Sequence, residues 1–168
     1  MNYPLTIAVN VVMTEAAVGI GVFLENSTIY TDAMSRFVRR VPAYIYLTSD
    51  GPYPVPIGGI NTMDRIIKFW YNQTVFNVSG IAQETCRDLG HTSFGISSMA
   101  HIAETAHIQG IDLWSTELGV RVMAALELHT PLTAANQTIP KWLCNGEIKG
   151  SLDPSTFPSV IRRNKTDM

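Results

Sequence analysis

Charged residues are scarce in this chain of 168 residues, since they make up 15% of it and the formal net charge is -2. No run of Lys or Arg supplies a local basic field, so we predict that the protein does not bind nucleic acid. The chain also lacks the ~18 consecutive apolar residues of a membrane span, because Glu15 interrupts the stretch from Ile7 and Glu25 closes it. We therefore predict no membrane span.

Cysteine is scarce as well, with only Cys86 and Cys144. In an oxidising compartment the two would fit one disulfide, and two buried thiols account for them about as well. The four histidines have no clustered Cys or Asp partner, so we predict no metal site and no cofactor. The first residues lack the basic segment of an ordinary secretory signal peptide.

Sites for N-glycosylation, by contrast, are abundant. The tripeptide Asn-x-Ser/Thr, with x not proline, begins at Asn26, Asn72, Asn77, Asn136 and Asn164. This excess over chance indicates passage through a eukaryotic secretory pathway. We predict a secreted, extracellular glycoprotein, with a signal peptide that is absent from this chain.

The apolar content of 46% is enough for a buried core, and apolar residues recur at helical spacing in several segments. The first helix is apolar almost all round, which predicts that other helices enclose it. Pro42 is predicted to end the second helix and Gly110 the fourth, and a long loop rich in Pro and Gly lies between Pro42 and Met63. The predicted helices are Thr6–Leu24, Thr28 or Thr31 to Arg40, Met63–Tyr71, Thr92–Gln109, and Ser115 or Thr116 to His129. The inner stripe of the last helix is predicted to contain Leu118, Val122, Met123 and Leu126.

The first and last helical pairs resemble one another at an offset of 89 residues. This pattern predicts stacked helical hairpins, each of which needs neighbours to bury its apolar face. Because two hairpins cannot close a ring, we predict part of a larger helical barrel. The identities are Glu15 with Glu104, Ala17 with Ala106, Gly21 with Gly110, Leu24 with Leu113, and Met34 with Met123.

A polar run precedes the fourth helix and contains Glu84, Arg87, Asp88 and His91. Polar side chains at the mouth of a buried helix are typical of a site on a rigid scaffold. Solvated charges at a helix N-terminus explain the same run more simply. Elsewhere we expect structural roles: hydrogen bonds for Glu15 and Glu104, packing for His101 and His107, and a cation at a helix end for His129.

Three strings resemble the alginate lyase-like polysaccharide lyases, which include glucuronan lyases. They are V-P-A-Y-I-Y-L-T-S-D-G-P from Val41, Q-E-T-C-R-D-L-G-H-T-S-F-G from Gln83 and H-I-A-E-T-A-H-I-Q-G from His101. The resemblance implies an all-α domain over residues 1–150, built of helical hairpins of an incomplete (α/α) toroid with long loops. Residues 151–168 are predicted to be an irregular or disordered tail.

The resemblance also implies a cleft that binds an acidic polysaccharide and cleaves it by β-elimination. Arg87 is the candidate that neutralises the uronate carboxylate, and His91 is the candidate base or acid. His91 lies four residues after Arg87, one helical turn if that segment is helical, so the two can face the same cleft. The family pattern has a Tyr seven residues after this Arg, where this chain has Phe94. Either His91 does the proton transfer, or Tyr46 or Tyr71 does, or this copy is inactive. The predicted substrate contacts are Gln83, Glu84, Tyr46, Trp70, Tyr71 and Asn10.

Two functions follow from these residues. The first is a lyase that acts on an alginate-type or glucuronan-type polysaccharide. The second is an inactive fragment that keeps a carbohydrate-binding or structural helical scaffold.

Overall fold

The computed structural model describes residues 7–132 and 138–150, with side chains from residue 10 onward. The described residues contain five α-helices and no strand, so the predicted all-α class is confirmed. The predicted tail, residues 151–168, lies outside them. The helices are α1 (Ile7–Phe23), α2 (Ser27–Tyr44), α3 (Met63–Phe69), α4 (Leu89–Ile108) and α5 (Glu117–Leu132), with short 3₁₀ turns at Thr48–Asp50 and Cys144–Gly146.

Four of the helices enclose the main core. Helix α1 packs against α2 and α4, and α5 packs against the same two helices. The side chains between them include Phe37, Ile96, Met99, Ile102 and Val122, all of which are fully buried. Burial of large apolar side chains contributes roughly 1.5–3 kcal/mol each, so these contacts hold the four helices together.

A second core lies beneath the loops and α3. Its buried members include Tyr46, Trp70, Phe76, Ile81 and Leu143. The Phe76 ring meets Tyr46 and Trp70 edge to face, in both cases with centroids 5.3 Å apart. The long loop that the sequence predicts is therefore anchored by aromatic packing.

Gly110 ends α4 as predicted. Its φ of 84° places it in the left-handed region, which glycine adopts without a steric penalty. The Gly110 N–H donates to His107 O at 2.9 Å and the Ile111 N–H to Ala106 O at 2.8 Å. This pair of bonds satisfies the last carbonyls of the helix.

The bounds predicted for α2 were wrong at both ends. Its N-cap is Asn26, whose Oδ1 accepts the backbone N–H groups of Thr28 and Ile29, both at 3.1 Å. The helix also runs through Pro42 to Tyr44. Val41 and Tyr44 are fully buried, and this packing outweighs the tendency of a proline to end a helix.

Two predictions about packing were also wrong. Helix α1 is not enclosed, since Met13, Ile20 and Phe23 are exposed and Phe23 keeps 84% of its surface. On α5, Met123 is exposed instead of lying on the inner stripe, and the helix continues past His129 to Leu132. No helix in residues 7–132 or 138–150 has the length and apolar character that crossing a membrane requires.

Arg121 lies inside the protein, which the sequence did not indicate. It is 2% exposed and its guanidinium binds both carboxylate oxygens of Asp50, through Nη1 at 2.8 Å and Nη2 at 2.5 Å. The Arg121 Nη1 also donates to Ile45 O at 2.7 Å. The residue therefore ties α5 to the segment that follows α2.

His129 is also buried, so the predicted cation at the end of α5 was wrong. Its Nδ1 lies 2.8 Å from Ala125 O and its Nε2 lies 2.9 Å from Thr85 Oγ1. Complete burial lowers the pKa of His129 from 6.5 to about 4, and the bond to Ala125 offsets only part of this effect. The imidazole is therefore neutral at pH 7.

This burial predicts a loss of stability in acid. Because the pKa of His129 is lower in the folded chain than in the unfolded chain, its contribution is present above pH 6.5 and is lost as pH falls towards 4. Between about pH 7 and about pH 4.5, we expect the free energy of unfolding to fall by about 2–3 kcal/mol from this group alone. Urea titrations at both pH values measure the change.

His129→Gln, which cannot titrate, should show a correspondingly smaller difference between the two pH values. The matched control is His107→Gln, because His107 is exposed on α4 and its removal should leave the acid-induced loss nearly unchanged. Equal losses in the wild type and in His129→Gln would contradict the prediction.

Candidate functional site

Arg87 and His91 meet at the carboxylate of Asp88. Arg87 Nη1 lies 2.7 Å from Glu84 Oε1, and its Nε lies 3.8 Å from Asp88 Oδ2. The same Asp88 oxygen lies 2.7 Å from His91 Nδ1. We call Tyr71, Glu84, Arg87, Asp88 and His91 the Arg87 cluster. The side chains of Arg87 and His91 are 30% and 42% exposed, so both can reach a ligand in solvent.

The cap of α4 builds this arrangement. Asp88 is the N-cap, and its Oδ1 accepts the backbone N–H of His91 at 2.8 Å while Oδ2 faces the His91 ring. Helix α4 therefore begins at Leu89, earlier than the predicted Thr92. Arg87 precedes the helix, so it shares a site with His91 through Asp88 and not through helical spacing.

Tyr71 completes the cluster from the other side. It follows α3 with a φ of 52°, and Asn72 follows with 65°. Two successive left-handed residues are unusual outside glycine, and they turn the chain sharply. As a result the Tyr71 side chain lies beside Arg87 and interacts with its guanidinium.

The residues of the Arg87 cluster differ in protonation state: Tyr71 is protonated and Asp88 is ionised. Burial raises the pKa of Tyr71 and the Arg87 charge offsets only part of this effect, so Tyr71 stays protonated. Partial burial of Asp88 tends to raise its pKa, but hydrogen bonds from His91 and the nearby Arg87 charge bring the pKa below its usual value. The cluster therefore combines a proton donor, a fixed cation and an imidazole held by a carboxylate.

No family model, curated protein or solved structure matches this chain. The likeness of its three strings to polysaccharide lyases stays a prediction.

The segment after α5, residues 138–150, lies beside the Arg87 cluster. Cys86 and Cys144 form a disulfide with Cα atoms 5.1 Å apart, which fixes this segment beside Arg87. The Leu89 N–H donates to Lys149 O at 2.9 Å, so the chain near Lys149 satisfies the first turn of α4. Gln73 holds the same segment, since its Nε2 donates to Trp142 O at 2.9 Å and its Oε1 accepts the Cys144 N–H at 2.8 Å.

Four of the predicted substrate contacts are buried and cannot reach a polysaccharide. Tyr46 and Trp70 belong to the second core, and the Tyr46 hydroxyl lies 2.7 Å from Gly51 O and 2.8 Å from Phe76 O. The Gln83 amide donates to Phe69 O, and Glu84 is fully buried against Arg87. The Tyr46 hydroxyl, the Gln83 Nε2 group and the Glu84 carboxylate are thus used inside the protein. The buried Gln83 Oε1 has no hydrogen-bond partner among the described residues.

The remaining candidates have different positions. Asn10 is half-buried in the N-terminal part of α1, where its carbonyl accepts the Thr14 hydroxyl at 2.7 Å. Tyr71 alone among the predicted aromatic contacts lies both at the surface and beside Arg87. Phe94 is exposed on α4, where its ring has no group that can transfer a proton.

A separate groove of about 420 Å³ lies between α1 and α4. Its lining is mostly apolar and includes the pair of Glu15 and His101, whose Oε1 and Nδ1 lie 2.7 Å apart. The predicted structural hydrogen bond of Glu15 is thus present. None of the residues that line this groove belongs to the Arg87 cluster, and its mostly apolar lining lacks the combination of guanidinium, Tyr hydroxyl and imidazole found there.

The predicted glycosylation sites that the structure describes are at the surface. Asn26, Asn72 and Asn77 are exposed, while Asn136 and Asn164 lie outside the described residues. The cap at α2 uses the Asn26 Oδ1, which leaves the Nδ2 atom that would carry a glycan. Glycosylation at the five positions stays a prediction.

Proposed function

We propose that the protein is a polysaccharide lyase that cleaves a uronic-acid-containing polysaccharide of the alginate or glucuronan type by β-elimination. The observation that carries the proposal is the convergence of an accessible guanidinium, a Tyr hydroxyl and a carboxylate-bound imidazole in the Arg87 cluster. β-Elimination next to a carboxylate uses a cation that stabilises the developing charge, a base that takes the proton and an acid that protonates the leaving oxygen.

Arg87 is the proposed carboxylate-binding residue. Loss of the proton at C5 of a uronate places negative charge on the adjacent carboxylate, and a fixed cation lowers the energy of that state. A guanidinium can donate two parallel hydrogen bonds to a carboxylate. The partial exposure of Arg87 is compatible with such contact.

His91 is the proposed base and Tyr71 the proposed acid. With Nδ1–H donating to Asp88, the His91 Nε2 lone pair can accept the C5 proton. The electrons of the C5–H bond form the C4–C5 double bond as the C4–O4 bond breaks. The departing O4 takes the proton of the Tyr71 hydroxyl. Tyr71 suits this role because its raised pKa keeps the proton available.

The resemblance and the helix contacts support the remaining parts of the proposal. The contacts of α1 with α4 and of α2 with α5 are those expected of adjacent helical hairpins in an incomplete (α/α) toroid. The sequons and the disulfide support a secreted glycoprotein.

The proposal is tested by incubating the purified chain with polymannuronate, polyguluronate and glucuronan. A lyase creates a double bond conjugated to the carboxylate, so ultraviolet absorbance should rise with at least one of them. A neutral β-glucan is the control and should give no rise, since it has no acidic proton next to a carboxylate. No rise with any of the three uronans would contradict the lyase function.

His91→Ala should lower kcat on the preferred uronan by about 10²-fold, because it removes the base and leaves the carboxylate contact in place. KM should change little. The matched control is His107→Ala, an exposed His near the other end of α4, which should keep wild-type kcat. A His91→Ala variant with unchanged kcat would assign the proton transfer to another group.

An inactive carbohydrate-binding scaffold is the second candidate, and the exposed Phe94 favours it. In the family pattern the residue seven positions after the Arg is a proton-transferring Tyr, and Phe94 cannot replace it. Titration calorimetry with oligouronates separates the two functions, because the scaffold would bind them and release no unsaturated product.

A further inference from the structure

Glu84 is fully buried, although it contacts the partly exposed guanidinium of Arg87. Its Oε1 lies 2.7 Å from Arg87 Nη1, and the Arg87 side chain is 30% exposed. One end of the guanidinium is therefore fixed inside the protein while the rest stays accessible. A buried carboxylate needs such a partner, because its desolvation is costly.

Local backbone bonds fix the position of Glu84. Its carbonyl accepts the N–H of Arg87 at 2.9 Å and of Asp88 at 3.3 Å, which closes the turn before α4. The turn sets the distance between the Glu84 and Arg87 side chains. It also leads directly into the Asp88 cap that holds His91.

Tyr44 holds the second oxygen of Glu84. Its hydroxyl lies 3.5 Å from Glu84 Oε2, and burial together with the Glu84 charge raises the pKa of Tyr44 well above its usual value. The Tyr44 hydroxyl therefore stays protonated and donates a hydrogen bond to Glu84 Oε2. Gly95 makes room for this ring, because a Cβ at that position would lie 2.1 Å from the Tyr44 hydroxyl oxygen.

We infer that Glu84 is a positioning residue, which Tyr44 and Gly95 hold in place and which sets the orientation of the Arg87 guanidinium for a bound carboxylate. The inference rests on the proposed lyase function and adds a residue that substrate does not touch. Misplacement of a reacting group by about 1 Å can cost about 10²-fold in rate. The side chain of Glu84 therefore matters for turnover even though it is sealed from solvent.

A purely electrostatic role makes the opposite prediction. Glu84 adds negative charge near a site for an anion, so its neutralisation in Glu84→Gln would then strengthen substrate binding and lower KM. Glu84→Asp keeps the charge and withdraws the carboxylate by one methylene. If Glu84 acts by position, Glu84→Asp lowers kcat although no charge has changed.

The experiment compares kcat and KM of Glu84→Asp and Glu84→Gln with the wild type. We expect Glu84→Asp to lower kcat by about 10²-fold with KM within about threefold, and Glu84→Gln to lower kcat as well. Glu15→Gln is the matched control, since it removes one carboxylate outside the cluster and should keep wild-type kcat. Unchanged kcat in Glu84→Asp, or a lower KM with unchanged kcat in Glu84→Gln, would overturn the inference.

Tyr44→Phe keeps the buried ring and removes only its hydroxyl, so it tests the same contact if the Glu84 variants fail to fold. We expect a smaller loss of kcat in this variant, about threefold to tenfold, since the bond it removes is long. Wild-type kcat in folded Tyr44→Phe would remove Tyr44 from the inference.

A readout without turnover separates this inference from the lyase function. In protein labelled with ¹⁵N-arginine, the Arg87 side-chain signals are assigned by their loss in Arg87→Lys. The bond to Glu84 hinders rotation of the guanidinium, so its Nη–H protons should give separate signals in the wild type and merge in Glu84→Gln. Signals that stay separate in Glu84→Gln would overturn the inference, whether or not a uronan is cleaved.

Discussion

Arg87→Ala is expected to lower kcat/KM on the preferred uronan by about 10³-fold, the largest loss that we predict for a single residue. The substitution removes the only cation in the Arg87 cluster apart from a protonated His91. The charge that develops on the uronate carboxylate is then no longer offset. Initial rates of absorbance increase, measured well below the unfolding temperature, give the value.

Two further variants show how much of this expected loss comes from charge, from shape and from stability. Arg87→Lys keeps a positive charge but loses the planar fork, so it should recover only part of the activity. Arg87→Ala also leaves Glu84 buried without its cation, and the double variant Arg87→Ala/Glu84→Gln separates that loss of stability from the loss of chemistry. An Arg87→Ala activity within about tenfold of the wild type would exclude Arg87 as the carboxylate-binding residue.

Asp50→Asn is expected to lower the free energy of unfolding by about 3–5 kcal/mol. In the described residues, Asp50 is the only buried carboxylate within 4.0 Å of the Arg121 guanidinium. The substitution keeps the shape of the side chain but removes this negative charge, so the Arg121 charge stays buried without it. The Leu47 N–H also loses a charged acceptor, since it donates to Asp50 Oδ2 at 2.9 Å. Urea unfolding at neutral pH measures the loss.

Glu117→Gln provides the matched control for this variant. Glu117 also binds Arg121, but its side chain is 65% exposed, and exposed ion pairs contribute only about 0–1 kcal/mol. We expect the control to be close to the wild type. Similar losses in Asp50→Asn and Glu117→Gln would show that burial does not set the strength of this network.

The helices could largely be predicted from the sequence, because apolar spacing and helix-ending glycines are local signals. Gly110 ended α4 as predicted, and α1 lies within one residue of its predicted bounds. Pro42 failed as a stop signal, since its effect depends on how deeply its neighbours are buried. The Asp88 cap was missed because the polar run around it resembles a loop.

The site could be predicted only in part. The sequence placed Arg87 and His91 together, but the reason is a shared carboxylate and not one helical turn. Tyr46 and Trp70 could not be told apart from Tyr71 by composition, because aromatic side chains serve both cores and ligand sites. Only the tertiary structure shows that the first two are buried and the third lies beside Arg87.

The bond from the Leu89 N–H to Lys149 O has a practical consequence for the smallest unit that can fold. A protein shortened to end at Leu132 would keep helices α1 to α5. The backbone N–H of Leu89, at the start of α4, would then lose its acceptor, and Cys86 would lose its disulfide partner. Gln73 would also lose its partners in Trp142 and Cys144. The boundary of an expression clone should therefore be set by residues 138–150, which contain no α-helix, and not by the last helix.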